Sequence, residues 1–288
     1  MAAEAQGAKL PAQECDMQTM NGLTALNSGP RRAHLVVQDH PVFQALPPNA
    51  RSRIEATSRS QSLAAGEALP DDDDLYFVLT GVLGLFPGSG GVCVAMTPAG
   101  AVHGWDHHLA SGAPRARVRA LIDTLVGRVP AEAVLESMGR DWFERLVARQ
   151  APSRLAGLAA EAACNASHLV PERLAKWIIR LHCGGNGAPL HLTQSDFGAM
   201  LGVQRTSINA AAGRLQALDL VRFGRGKVQV LDLAGLRQAA CGCGEPVQVS
   251  PNLSRRSEQA SLAPEPASWS PAETSGEIAT HTPSRAAV

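Results

Sequence analysis

Aromatic side chains are scarce: one tyrosine, four tryptophans and six phenylalanines stand in 288 residues. A core must therefore be filled by Leu, Val, Ile and Ala, which is feasible because 45% of the chain is apolar. Long apolar runs are lacking too. No stretch reaches the roughly 18 apolar residues that a membrane span needs. The opening MAAEAQGAKLPAQE has no hydrophobic segment of the kind a secretory leader carries. The chain is thus expected to be cytoplasmic, without a membrane partner. Six cysteines in so long a chain with no leader read as reduced thiols rather than a disulfide framework. A phosphate-binding glycine loop, a dinucleotide fingerprint and a nucleophile–base pair at recognisable spacing are also missing. Nothing here suggests an enzyme.

Net charge is lacking as well, with 26 basic residues against 26 acidic. That average conceals an uneven distribution. From Glu172 to Lys227 stand eight Lys/Arg and three Asp/Glu, so the remainder is acidic on balance. A basic segment in a neutral chain is the electrostatic footprint of a module that binds a polyanion such as DNA.

The two ends differ from the middle. Residues 1–33 are polar and Gly/Ala-rich and read as a flexible tail. Residues 245–288 are rich in Pro, Ser, Ala and Glu, and are expected to be disordered because they cannot bury enough apolar surface to offset the entropy of ordering. Residues 34–139 carry short β-rich runs, LYFVLTGVLGLF (75–86, broken at Gly81), VCVAM (92–96) and RVRALIDTLVGRVP (117–130), separated by Gly/Pro turns. Many short strands with frequent turns predict a small barrel or jelly roll. Helical patterning follows, in a short helix from Ala131 to Met138 and a longer one over 140–168. Pro152 either kinks this longer helix or restarts it.

Residues 169–244 hold four consecutive pieces. Leu174, Trp177, Ile178 and Leu181 recur at i, i+3, i+4 and i+7, one apolar stripe of a helix. In LTQSDFGAMLG, Thr193 and Asp196 have the spacing of a capping box, and Gly202 permits a sharp turn. Ile208, Ala211, Ala212, Leu215 and Leu218 then mark the core face of a third helix. Its other face opens with Gln204, Arg205, Thr206, Ser207 and Asn209, hydrogen-bonding types suited to base edges in a major groove. Last, VRFGRGKVQVLD alternates as two strands around a tip bearing Arg225 and Lys227, a wing able to reach phosphates.

These residues resemble the Crp/Fnr regulators. The similarity runs through ACNASHLVPERLAKWIIRLH (163–182) and LTQSDFGAMLGVQRTSINAAAGRLQALDLVRFGRGKVQVLDLAGLRQAACGCG (192–244), and more diffusely through HPVFQALPPNARSRIEA (40–56) and YFVLTGV (76–82). It implies an α+β chain with a cyclic-nucleotide-binding-like β-roll, a long dimerisation helix and a C-terminal winged helix-turn-helix. The partners it implies are double-stranded DNA, a second copy of the chain and RNA polymerase. It assigns DNA contact to Thr193, Gln194, Gln204, Arg205, Thr206, Ser207, Asn209, Arg225 and Lys227. The function expected is a homodimeric, sequence-specific transcription regulator on a pseudo-palindromic operator. The alternative is a ligand-sensing module, for a cyclic-nucleotide-like molecule or haem, with vestigial DNA binding.

Several positions depart from the family pattern. Trp105 follows Gly104 where nucleotide-binding members carry the Glu that holds the ribose. Arg115 remains as a candidate effector-phosphate partner, but Ala116 follows it in place of Ser. Cys15 stands alone near the N-terminus, against an iron–sulfur cluster. Thr206 and Ala210 replace the Glu and the second Arg of the family's recognition helix. His103, His107 and His108 read as a polar loop rather than metal ligands, and Asp71–Asp74 as an acidic surface loop. Trp177 reads as core, and Cys164 and Cys183 as packing residues. Cys241 and Cys243 are two donors where a structural zinc site uses four, so no metal or cofactor is expected.

Overall fold

A computed structural model describes residues 36–88, 91–108 and 115–243. The expected tails, 1–33 and 245–288, lie outside these residues, as does Cys15. The described chain is a mixed α+β fold. It opens with a 3-10 turn, Val37–Asp39, and helices α1 (Pro41–Gln44) and α2 (Pro48–Thr57). Seven strands follow: β1 (Arg59–Leu63), β2 (Leu75–Thr80), β3 (Val82–Phe86), β4 (Ala95–Pro98), β5 (Val102–His103), β6 (Arg117–Ala120) and β7 (Thr124–Val129). Helices α3 (Ala131–Met138), α4 (Arg140–Ser167), α5 (Val170–Gly184), α6 (Gln194–Leu201) and α7 (Arg205–Ala217) come next. Strands β8 (Val221–Gly224) and β9 (Lys227–Val230) and helix α8 (Leu233–Ala239) complete it.

The first seven strands form two antiparallel sheets, ordered β1-β7-β2-β5 and β4-β3-β6. The chain passes from one sheet to the other at Gly81, where φ is +87°. A Cβ there would lie 2.3 Å from Thr124 Oγ1, so glycine is required for space as well as for backbone angle. Strand β3 then alternates. Leu83 and Leu85 point into the roll with Leu63, Tyr76, Val78, Val118 and Val126. Val82 and Phe86 point to the other side, and with Leu121 and Ile122 they join the core of the C-terminal helices. Period-two geometry thus gives one short strand two cores to serve.

The VCVAM run is a strand only from Ala95. Upstream, the Cys93 amide donates to the carbonyl of Met200 in α6 at 3.0 Å, so this stretch is spent on docking the helices. The longer helix is continuous. Its 28 residues span about 42 Å at a rise of about 1.5 Å per residue, and Pro152 neither breaks nor restarts it. It ends at His168, which is extended, and α5 starts two residues later.

Candidate nucleic-acid interface

The apolar stripe of α5 is the scaffold for the interface. Leu174, Ile178 and Leu181 are fully buried and Trp177 nearly so, as expected, and they share one core with Phe197 and Met200 of α6 and Ile208, Ala212 and Leu215 of α7. The start of α6 is closed by a capping box. The Asp196 amide donates to Thr193 Oγ1 at 3.2 Å, and the Thr193 amide and hydroxyl each donate to Asp196 Oδ2 at 2.7 Å. Gly202 ends the helix in the left-handed conformation, φ +65°. The chain then needs only Val203 and Gln204 before α7 begins.

Helix α7 has the two faces that its sequence predicts, with one exception. Ile208, Ala211, Ala212 and Leu215 are buried. Leu218 is not; it is 64% exposed, because α7 stops at Ala217 and the chain turns away through Asp219 at φ +53°. The opposite face holds Gln204, Arg205, Thr206 and Asn209 exposed and Ser207 half-buried. The wing is a two-residue hairpin in which Gly224 pairs with Lys227, leaving Arg225 and Gly226 at the tip. It is pinned to the domain by Leu190, which exchanges two backbone hydrogen bonds with Val228 at 2.8 and 2.9 Å. Arg225 and Lys227 are exposed.

Between the start of α6, the start of α7 and the wing lies an open concavity of about 480 Å³. Thr193, Gln194, Ser195 and Arg205 line it, with Phe223 and Gly226. Three of these four polar residues were legible in the sequence; Ser195 was not singled out. The Thr193 hydroxyl is committed to its cap, so Gln194 and Ser195 are the freer donors at this end of α6.

The charge count needs a correction. Of the eight cations between Glu172 and Lys227, three do not face outward. Arg173 is buried and donates to the Leu201 carbonyl at 2.9 Å. Lys176 is buried and donates to Glu161 at 2.8 Å, and Arg180 pairs with the same carboxylate. Burial alone would raise the Glu161 carboxyl; the two cations overcome this and hold it below its ordinary value. The exposed set is Arg205, Arg214, Arg222, Arg225 and Lys227, against exposed Asp196 and Asp219. The outward surface remains basic, but less so than the sequence count implies.

Other candidates settle elsewhere. Trp105 is core, packed on Phe77 and Phe143 with ring centroids 6.4 and 5.4 Å away. A hydrophobic contact therefore fills the position where the resemblance would place a ribose-binding carboxylate. Arg115 is paired with Asp71 and Asp73 and donates to the Asp72 carbonyl at 2.9 Å. Asp72 and Asp74 in turn pair with Arg128, at 2.8 and 2.5 Å. The acidic run is thus the surface loop that its sequence suggests, and its carboxylates pair with Arg115 and Arg128. His103 is buried in β5 and not in a polar loop, while His108 lies against the Asp73 carbonyl at 2.9 Å. The side chain of His107 lies outside the description. Cys164 and Cys183 are buried as packing residues would be. Cys241 and Cys243, however, are not alone: Cys164 and His168 converge on them.

Residues 172–239 match the family model of the Crp-like helix-turn-helix domain. No curated protein matches the chain. Solved structures with a similar fold include a protein from Eubacterium rectale described as a transcriptional regulator of the crp/fnr family, at 17% identity and TM-score 0.55, covering 69% of this chain and 97% of that one. A CRP-family transcriptional regulator from Thermus thermophilus is similar at 18% identity and TM-score 0.51, covering 64% and 99%. The global regulator CLP from Xanthomonas campestris, described as responsive to c-di-GMP, is similar at 15% identity and TM-score 0.50, covering 64% and 99%. Residues 172–239 are thus a Crp-like helix-turn-helix domain, carried by a chain whose mixed helix-and-sheet fold is that of crp/fnr transcriptional regulators.

Proposed function

We propose that this chain is a transcription regulator of the Crp/Fnr type, which binds double-stranded DNA as a homodimer and reads a pseudo-palindromic site. The observation that carries the proposal is the outward face of α7. Arg205, Thr206 and Asn209 are exposed at its first turns, directly beside a basic wing. With α7 in a major groove, Gln204, Arg205, Thr206, Ser207 and Asn209 meet base edges, while Gln194, Ser195, Arg225 and Lys227 take the flanking phosphates. Arginine reads guanine by a paired contact, and asparagine reads adenine.

Helix α4 supports the dimer. Leu155 is 68% exposed in a single chain, an apolar residue on a long helix that nothing among the described residues covers. Pairing α4 with its copy would bury it and set two α7 helices about 34 Å apart, one turn of DNA. No effector is assigned, and the buried Trp105 speaks against a cyclic nucleotide held by the usual carboxylate. The test is selection of bound sequences from a random double-stranded library by the purified full-length protein. A two-fold symmetric motif is expected. Recovery of random sequence, at salt low enough for retention, would sink the reading and leave the roll as a sensor with vestigial DNA contacts.

A further inference from the structure

We infer that Cys164, His168, Cys241 and Cys243 form a site for one zinc-class divalent metal ion, which staples the end of α4 to the C-terminal end of the helix-turn-helix unit. One donor atom from each residue lies within 4.8 Å of all the others. Cys164 Sγ is 3.4 Å from Cys241 Sγ, and Cys243 Sγ is 3.4 Å from His168 Nδ1. The four come from two places. Cys164 lies in the last turn of α4, and His168 is the C-cap of that helix, so an i, i+4 spacing puts both on one side. Cys241 and Cys243 follow α8. The Cys241 amide is held against the Glu172 carbonyl at 3.4 Å, which brings the second pair onto the first.

Three thiolates and one imidazole are a donor set of structural zinc sites. With metal–sulfur bonds of about 2.3 Å and metal–nitrogen bonds of about 2.0–2.1 Å, a tetrahedral site spaces two sulfurs roughly 3.8 Å apart and a sulfur and a nitrogen roughly 3.5 Å apart. The Cys243–His168 pair is close to that spacing, and the Cys164 and Cys241 sulfurs need part by only a few tenths of an ångström to reach theirs. Donors so near one another suit a single ion and leave no room for a polynuclear iron–sulfur cluster. Hard cations such as Mg²⁺ or Ca²⁺ would require oxygen ligands, which this set does not offer.

Charge gives an independent argument. Lys176, which is buried, donates to Cys164 Sγ at 3.0 Å and to Glu161 at 2.8 Å. It shares that carboxylate with Arg180, so a further anion beside the buried ammonium is favourable. A neutral thiol does not supply one. A divalent ion bound by three thiolates and a neutral imidazole carries one net negative charge and does, and Lys176 becomes an outer partner of a metal-bound sulfur. The ion would lock the short connection at His168, and with it the direction in which α5 leaves α4.

The decisive experiment uses the full-length protein without an affinity tag. Elemental analysis after gel filtration is expected to give about one zinc per chain. The metal-stripped, reduced protein titrated with Co²⁺ is expected to develop thiolate-to-cobalt charge-transfer absorption and the d–d bands of a tetrahedral site. These should saturate at one equivalent and be displaced by Zn²⁺. Cys243→Ser should weaken Co²⁺ binding at least tenfold, and Lys176→Met by about 10–100-fold through the outer contact. The absence of charge-transfer absorption in the wild-type titration would overturn the proposal, as would a Cys164–Cys241 disulfide in protein purified with reductant. The wild-type titration needs no variant to fold, and neither outcome depends on whether DNA is bound.

Discussion

Arg205 and Lys227 are both exposed cations, yet their positions give them different work. In the proposed mode of binding, Arg205 at the start of α7 would reach the groove floor, where a planar fork can pair with one base; Lys227 on the wing would meet only backbone charge. Arg205→Ala should weaken binding to the selected site by about 1–3 kcal/mol and relax one base position. Lys227→Ala should weaken all sequences alike and reduce the salt slope by about one unit. Gel-shift titrations on selected and random DNA across a salt series separate the two; equal losses on both DNAs for both variants would contradict this division. His40 shows a different single-residue effect. It is buried, its Nδ1 accepts from the Val42 amide at 3.2 Å, and its Nε2 faces the Ala101 carbonyl at 3.2 Å, an arrangement for the neutral ring. Burial lowers its pKa from 6.5 to about 4. The unfolded chain therefore takes up the proton first on acidification. Stability is fully present above about 6.5 and is lost as pH falls toward about 4, by on the order of 3 kcal/mol. His40→Gln should flatten the dependence of Tm on pH in that window, and an unchanged slope would assign the acid sensitivity to other groups.

At the scale of elements, the helix-turn-helix was the most legible part of the chain. Its signals are local: an apolar stripe, a capping box, a glycine at the turn. Leu218 was misplaced because periodicity cannot show where a helix stops. Pro152 was ambiguous for a related reason, since propensity alone does not say whether the surrounding turns can carry a missing amide. The docking of the roll onto α5 was not legible at all. Gly184 is a contact point, where a Cβ would lie 2.3 Å from Val82 Cγ2. Intrinsic propensity favours alanine over glycine in a helix by about 0.8–1.0 kcal/mol. Overpacking in a tight contact costs about 1–3 kcal/mol, and Val82 is buried and stiff, so the clash should win. Gly184→Ala is expected to lower stability in urea titration, and Val82→Ala in the same chain should partly restore it. Were Gly184→Ala to stabilise the protein, the tight docking of Val82 on α5 would be ruled out.

For the whole molecule, the proposed dimer is the quantity to measure. An isologous contact uses each residue twice, and burying a leucine is worth about 1.5–3 kcal/mol. Leu155→Glu is therefore expected to shift the protein toward monomer in sedimentation velocity and to reduce affinity for the symmetric site more than for a half-site. A monomer in the unsubstituted protein, or a profile unaltered by Leu155→Glu, would overturn pairing through α4. Charge also has to be read at this scale. The basic segment seen in the sequence is divided by the fold between an outward surface, Arg205 to Lys227, and an inward cluster, Arg173, Lys176 and Arg180.

The sequence alone determined the pieces whose physics is short-range. These are the short β-rich runs of the roll, the helix faces of the helix-turn-helix unit, the cap at Thr193 and the wing at Arg225 and Lys227. Tertiary structure decided what depends on contacts between distant parts of the chain. It turned three cations inward, buried Trp105 and His103, and joined the roll to the helices through Val82. It also brought Cys164 and His168 to Cys241 and Cys243. Periodicity reports which side of an element is apolar; it carries no information on which distant element that side will meet.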